Sequence, residues 1–539
     1  MTKNNLESLN NKITPQALKD FGEDIFLKLP LYETKEKYNA VYVNADLFTK
    51  YFNDTNTTFA HMAKAIEKNF STTIDINKSN KKQIGFAYVD MQYDPLNIAL
   101  SGNLGSGRAY YQDGIFNIKG EKTPLVASTR EEYSNGVLEL EKAMYETIAS
   151  NSLFEDVNIK LSPILAILDI NENCNVKWKD RVCKRAKVIR IDIDGSLNRI
   201  THIFKAEKAM TETELFDFAT LAGIMEGEKF LQRIEHGAWS AGNISKYSHM
   251  IDFDTVCAVK YRSPQFSFSH WHIDNYFGYE DIGQLKIIKS IVQDKKINID
   301  KVKFTDLKKK IVEARTNYIG DNFIKLMGFN NAGAKYKTKI KKLVKLFDEL
   351  SRKCYPQPQD LNCKVLECMD CSPFDFSRFF RYYPLLKQNS DFDEYKGLDY
   401  LMNPFKSFDD FDIEKYPRET IDEADFHKNA LQGLNKTFIH SFDELLVLSE
   451  KCLEFIKLYY SLFNEILQQE QLQIDVIANK AYIVNEDRIH LMMPCSMAGP
   501  IDDEKEEMSW EHISNIIQTA ILANKRSGSA ELTGLKLSN

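Results

Sequence analysis

Apolar positions recur at helical spacing over residues 137–153, where Leu138, Leu140, Met144 and Ile148 mark one face, and a shorter helical stretch covers 60–70. Residues 116–119 alternate instead (Phe-Asn-Ile-Lys), as does, in outline, 186–193, which closes at the turn Asp194-Gly195. A strand carrying Lys119 is therefore followed by a helix carrying acids. Short alternating segments of this kind fill 86–205. From Thr211 the pattern turns helical. Thr211 and Glu214 form a capping box that opens a helix running to about residue 234. Residues 280–350 and 425–470 read as lysine-rich helices, and the Leu, Ile, Phe and Tyr positions of 445–467 read as core. Pro356 and Pro358, and the acidic run at 409–412, mark loops. The pattern predicts an α+β protein: an N-terminal extension over 1–85, a small sheet-containing lobe over 86–205, and a large helical lobe over 206–539.

Composition narrows the function classes. The 539 residues are 43% hydrophobic and 27% charged, enough for a large core spread over more than one lobe. A net charge of −7 argues against a general nucleic-acid binder, which neutralises phosphates with surplus cations. The basic run at 335–345 alternates with apolar residues at helical spacing and reads as a solvated helix face. The N-terminus lacks the apolar core of a signal peptide, and no stretch reaches the ~18 apolar residues of a membrane span. Nine cysteines with no regular framework suit reduced thiols and a cytoplasmic location. Cys354, Cys363, Cys368 and Cys371 cluster, but their ragged spacing lacks the second close pair of a zinc site.

Candidate chemistry concentrates between His236 and Asp254. A His-Gly pair leads into a polar loop ending at Asn243; a short hydrophobic segment follows, then Ile251, Asp252 and Phe253. In kinase-type centres an Asn closing the catalytic loop and an Asp after the next strand hold a divalent metal on ATP phosphates. Asn243 and Asp252 offer the hard oxygens that Mg²⁺ takes. A solvated turn uses the same residue types, so the upstream motifs carry weight. Gly105, Gly107 and Arg108 lie in Leu-Gly-Ser-Gly-Arg-Ala at 104–109. Glycines let a backbone approach phosphate oxygens and an arginine grips them, although a hairpin turn also uses this pattern. A strand lysine near ATP, here Lys119, is normally held by a helix glutamate. Glu139, Glu141 and Glu146 all sit on the candidate helix; Glu141 and Glu146 are the two candidates, and spacing does not choose between them. Arg190 and Arg199 flank a strand and turn, as phosphate-side cations or as surface ion-pair residues. Asp192, Asp194 and Gly195 suggest a calcium loop, but Arg190 and Thr201 stand where that loop needs acids.

Taken in order, these blocks resemble the selenoprotein O (SelO) family of pseudokinase-fold protein adenylyltransferases. Leu29-Pro30 followed by Val43-Asn44 is similar to its N-terminal motif, and 104–109 to its L-G-D-G-R-A. Lys119-Gly120 with Thr123-Pro124 is similar to its L-K-G-x-G-x-T-P, and Arg190 and Arg199 resemble its pocket arginines with about two extra residues between them. His236 to Asn243, then Ile251 to Phe253, is similar to its H-G-x-x-N-T-D-N and I-D-Y/F-G; 374–381 resembles its D-Y-T-x-F-F-R. The resemblance covers about residues 25–385 and thins out beyond. It implies a bilobal protein-kinase-like (pseudokinase) fold that binds ATP in an inverted orientation and transfers AMP. Lys119, Arg190 and Arg199 would hold the γ-side phosphates, with Arg108 a further candidate. Asn243 and Asp252 would hold Mg²⁺, or Mn²⁺ in its place.

This chain departs from the family where its candidate base stands: the Asp of N-T-D-N is Gly242 here, and the glycine after Ile-Asp-Phe is Asp254. Residues 133–136 replace the second glycine-rich segment. Either Asp254 substitutes as base or the acceptor needs none, as a carboxylate, already ionised at neutral pH, would not. The second option fits a divergent branch that looks like the MchC-type maturation proteins of siderophore-carrying microcins. Those activate a peptide C-terminus together with a small acyltransferase-like partner. Three readings follow: an AMP-transferring enzyme acting on a protein or peptide; a phosphotransferase, disfavoured because the loop before Asn243 lacks an Asp; and a non-catalytic nucleotide-binding scaffold.

Overall fold

In the computed structural model the alternating segments assemble into one antiparallel sheet. The structure describes residues 16–22, 25–92, 104–105, 108–123, 135–157, 161–176, 181–204, 206, 210–236, 243–258, 266–269, 272–275, 288, 291–292, 301–330, 334–351, 353, 373–386, 394–402, 439, 441–488, 491 and 509–526. The four clustered cysteines, the turn residues Pro356 and Pro358, the acidic run at 409–412, Gly107 and Gly242 lie outside them.

The strands are β1 (Phe26–Thr34), β2 (Asn39–Val43), β3 (Thr72–Thr73), β4 (Ser79–Gln92), β5 (Leu104–Gly105), β6 (Ala109–Gln112), β7 (Phe116–Lys119), β8 (Ile164–Val176) and β9 (Arg181–Ile191). Their order is β2-β8-β9-β7-β6-β4-β1-β3, with β5 pairing off β4. Residues 26–85, which the sequence reading sets apart as an extension, supply β1, β2, β3 and the start of β4 to this sheet. Helices α1 (Gln16–Phe21), α2 (Ala45–Phe52), α3 (Phe59–Phe70) and α4 (Leu140–Phe154) accompany it. Phe48, Phe52, Ile66 and Phe70 of α2 and α3 pack on one face, against Phe116, Ile118, Leu168 and Ile189. Leu140 and Ala143 of α4 pack on the other, with Ile167 and Val188.

β7 departs from its alternating sequence. All four of its residues are buried, because both faces are covered. Phe116 and Ile118 enter the apolar core, while the polar Asn117 and Lys119 are enclosed as well, at 4% and 2% exposure. A strand that buries its polar face is where chemistry is to be sought.

Beyond the sheet the described residues are mostly helical. The capping box forms as the sequence requires: the Thr211 hydroxyl accepts from the Glu214 amide, and the Glu214 carboxylate accepts from the Thr211 amide at 2.7 Å. It opens α5 (Glu212–Gln232), which leads into the short strand β10 (Ile234–His236). β10 pairs with β11 (Val256–Ala258), so the segment between them returns to its starting point. The helical run at 280–350 resolves into α6 (Lys301–Leu326) and α7 (Lys337–Ser351), followed by α8 (Phe376–Leu386), α9 (Glu394–Leu401), α10 (Phe442–Gln469), α11 (Ile474–Val484) and α12 (Trp510–Asn524). Phe347, Phe376, Phe379, Phe380, Phe455 and Tyr459 interlock edge-to-face in the largest core, which accounts for part of the high aromatic content. Lysines of the basic run reach carboxylates on and just after α10: Lys342 lies 3.0 Å from Glu454 and Lys335 3.4 Å from Glu470. No helix among the described residues is long and apolar enough to cross a membrane.

Helix α12 does not stay with the other helices of this half. Ile513, Ile517 and Ile521 of α12 pack against Tyr42, Leu138, Leu140 and Val188, on the α4 face of the sheet. Just beyond it, a buried polar knot ties four segments together. The Arg488 guanidinium donates to Asp156 at 2.8 Å and to Gln232 Oε1 at 2.9 Å. The Arg526 amide donates to the same carboxylate at 2.8 Å, and its guanidinium to the carbonyls of Glu486 and Gln232 at 2.7 and 3.1 Å. Asp156 follows α4 directly, so the knot anchors that helix to the ends of α5, α11 and α12. Replacing Asp156 with Asn leaves Arg488 buried without its counter-charge. We expect a loss of about 3–5 kcal/mol of stability, read as a lowered urea midpoint.

Candidate active site

Four backbone elements converge on one buried ion cluster. β7 delivers Lys119 at its last position. The next residue, Gly120, has φ 119°, and a Cβ there would run into the Ala186 carbonyl on β9. Its amide donates to the Arg108 carbonyl at 2.7 Å, which fixes the end of β7 against the segment carrying the candidate arginine. β9 lies beside β7 with Arg190 directly opposite Asn117. The Arg190 guanidinium donates to Asn117 Oδ1 at 2.7 and 3.1 Å, which fixes its direction.

α4 supplies Glu146, which is 1% exposed and shares its buried stripe with Ala143, Ala149 and Ser150. Lys119 Nζ donates to Glu146 Oε2 at 2.9 Å. Glu146 is thus the helix acid that reaches the lysine, and Glu141 sits half-buried in the first turn of α4.

The fourth element is the segment 243–252. Its ends are brought together by antiparallel bonds: the Ile251 amide donates to the Asn243 carbonyl at 2.9 Å, and the Ser245 amide to the His249 carbonyl at 2.9 Å. Asn243 and Asp252, distant by nine positions in sequence, therefore close the same hairpin. Asp252 adopts a left-handed backbone at φ 70°, which turns the chain into a short 3₁₀ segment at Phe253–Thr255. The buried His236 holds the hairpin from beneath: its Nε2–H donates to the Ile251 carbonyl at 2.7 Å. Burial lowers the His236 pKa, favouring the neutral ring.

Lys119 Nζ donates to Asp252 Oδ1 at 2.6 Å, and Asp254 Oδ2 lies 3.6 Å away. Arg190 Nη1 reaches the same Asp252 oxygen at 3.1 Å and Glu146 Oε1 at 3.4 Å. Arg199, whose backbone bridges to Ser245, points Nη1 at Asn243 Oδ1, 3.3 Å away. The structure thus brings together Lys119, Glu146, Arg190, Asp252 and Asp254, with Arg199 on Asn243. Arg108 stands near enough for its charge to act on both Lys119 and Asp252. Gly105 pairs with Met91 in the β4–β5 ladder, and Gly107 lies outside the described residues.

The electrostatics follow from this arrangement. Burial would raise the Asp252 pKa, but Lys119, Arg190, Arg199 and Arg108 outweigh it and hold the carboxyl well below the usual range. Burial would lower the Lys119 pKa, but Asp252, Asp254 and Glu146 outweigh it and push it up. Lysine and aspartate both stay charged over the whole neutral range. Asn243 and Asp252 are hard oxygen donors of the kind Mg²⁺ takes. Among the described residues no group of three or more His, Cys, Asp or Glu side chains could hold a metal, so an all-protein cage is not present there.

The sequence reading did not single out Asn117, nor the supporting role of Tyr145. Asn117 sits on the polar side of β7 beside Lys119, and that alternation was its only signal. The Tyr145 hydroxyl donates to the Val256 carbonyl at 2.7 Å, tying the turn that carries Glu146 to the strand after Asp252. Nothing in a single sequence marks that contact.

Two outcomes are expected. Replacing Lys119 with Met takes one buried cation from Glu146 and Asp252 and leaves them to share Arg190, and stability should fall by about 3 kcal/mol in a denaturant titration. The second concerns acid. A depressed carboxyl contributes stability fully above its unfolded pKa of about 3.9, and that share is lost as pH falls through the lower folded value. The Asp252→Asn protein should therefore show a flatter decline of its urea midpoint between about pH 5 and about pH 2 than the parent. The chain matches no protein-family model and no curated protein, so its own geometry is what speaks for the site.

Proposed function

We propose that this chain is an ATP- and Mg²⁺-dependent nucleotidyltransferase with a bilobal kinase-like fold, which transfers AMP to a protein or peptide acceptor. The observation that carries the reading is Lys119 on a sheet strand, held between Glu146 of the following helix and Asp252 of the hairpin. A strand lysine, a helix glutamate and a post-loop aspartate are the parts that place ATP phosphates and a metal in kinase-type centres.

Three arginines in addition to that lysine favour AMP transfer over simple phosphoryl transfer. When an acceptor oxygen attacks the α-phosphorus, pyrophosphate leaves, and negative charge grows over the whole polyphosphate. Lys119, Arg190, Arg199 and Arg108 are the cations that would offset it. Gly105 and Gly107 would let the backbone approach the phosphates. Asn243 and Asp252 would hold Mg²⁺, a Lewis acid for the phosphoryl oxygens. Asp252 Oδ1 already receives Lys119 and Arg190. A polyphosphate is the anion able to draw those two cations off and free Asp252 for the metal.

Asp254, within ion-pair range of Lys119, is the carboxylate placed to accept a proton from a hydroxyl acceptor. The stretch from His236 to Asn243 contains no acid in sequence. That observation favours one variant of the reading: a peptide carboxylate as acceptor, which needs no base and yields an acyl-adenylate for onward transfer by an acyltransferase-like partner.

The test compares ATP labelled at the α- or the γ-phosphate, incubated with the protein, Mg²⁺ and a lysate of its producing cells. Label retained on polypeptide from α-ATP alone is the expected result. Label from γ-ATP alone would make the chain a kinase. With neither, pyrophosphate release on adding a candidate peptide distinguishes acyl-adenylate formation from a nucleotide-binding scaffold. Replacing Asp252 with Ala should lower AMP transfer by about 10²- to 10³-fold, the usual loss on removing one preorganised charged group.

A further inference from the structure

The β8–β9 hairpin extends well past the site, and near its tip two cysteines face each other. Cys174 on β8 and Cys183 on β9 are directly opposed in the antiparallel register. Their sulfurs lie 3.2 Å apart, both are free thiols, and both are partly exposed. The register that sets this distance is fixed on both sides: Asn173 pairs with Lys184 and Asn175 with Val182. Glu172 on β8 forms an ion pair with Arg185 on β9, which pins the strands two residues further in. The other described cysteines do not share this setting, since Cys257 and Cys452 are buried. The proposed AMP transfer makes no use of either thiol.

We infer that Cys174 and Cys183 form a reversible redox site, a vicinal dithiol across the β8–β9 hairpin that closes to a disulfide by exchange with a low-molecular-weight disulfide of the glutathione class. The step balances as two exchanges. One thiolate attacks the small disulfide, forms a mixed disulfide and releases one small thiol. The facing cysteine then gives up its proton and attacks the protein-bound sulfur of that adduct. The cross-strand S–S bond forms and a second small thiol leaves. The protein loses two electrons and two protons, which the small disulfide takes up. Because the second cysteine is held in contact, the closing step is intramolecular and outpaces loss of the adduct. Cross-strand partners stand about 4.5–5.5 Å apart at Cα, inside the range a disulfide spans.

The surroundings set the pace of the first step. Burial, the hydrogen-bonded Cys174 thiol, and Glu139 and Glu141 push Cys183 up to about 12. Burial and Glu139 also raise Cys174, while its bond with Cys183, Arg185 and Lys142 pull the other way. The thiolate is therefore scarce at neutral pH, and Cys174, with the two cations beside it, is the sulfur that attacks first. The facing sulfur is already in place for the second attack, so the mixed disulfide does not accumulate.

The test uses the full chain and oxidised glutathione at mildly alkaline pH, followed by quenching, alkylation of remaining thiols under denaturing conditions, tryptic digestion and mass spectrometry. Peptides carrying Cys174 and Cys183 should appear joined and two hydrogens lighter than their sum, with alkylation lost at both positions together and restored by dithiothreitol. The Cys183→Ser protein should retain a stable glutathione adduct on Cys174, because nothing resolves it. Alkylation of both cysteines in the parent protein, a persistent adduct on either one, or a bridge from either to a different cysteine would each overturn the proposal.

Discussion

A lysine ammonium enclosed at the end of a sheet strand has to be surrounded by carboxylates, because an unpaired buried charge is too costly for a folded protein to keep. Much of the site's construction around Lys119 answers that requirement. Glu146 on α4, Asp252 at the end of the hairpin, Asp254 in the 3₁₀ segment after it, and Arg190 on β9 all converge on it or on its partners. The helix, the sheet and the 243–252 hairpin are held at one spacing because their charges share atoms. Asp252 Oδ1 alone receives both Lys119 and Arg190. The interaction that places α4 against the hairpin is therefore the one that prepares the candidate chemistry. Stability and function are drawn from the same set of side chains.

A second layer keeps that cluster from drifting, and it is built mostly from backbone contacts. His236 holds the Ile251 carbonyl, Tyr145 holds the Val256 carbonyl, and Gly120 lets β7 lie against β9 where any side chain would collide. The knot around Asp156 fixes the far end of α4. Glu146 is thus restrained from the turn it sits on and from the helix terminus beyond.

How much of this could be read beforehand depended on whether the cause was local. The capping box at Thr211 involves neighbours in sequence and could be read directly. So could the lysine strand followed by an acidic helix. Choosing Glu146 over Glu141 needed the phase of α4: Glu146 falls in line with the small residues Ala143, Ala149 and Ser150, which mark a closely packed face. The alternation of β7 was visible, but the covering of its polar side by α4 and the hairpin is a tertiary contact that the alternation does not encode. Residues 26–85 carried no sign that their strands complete the sheet, because strand partners are chosen by tertiary packing. The knot joins residues 156, 232, 488 and 526, and no window of sequence contains them together.

The return of α12 to the first-made part of the molecule bears on how the protein can be synthesised. A chain leaving the ribosome N-terminus first can pair its early strands long before residues 510–524 exist. During that interval Tyr42, Leu138, Leu140 and Val188 have no Ile513, Ile517 or Ile521 to cover them. Arg488 and Arg526 are likewise missing from Asp156. Until then the nascent sheet has one apolar flank open, and the Asp156 carboxylate stays in water. The final locking of α4 is thereby postponed until residues 488–526 have been made.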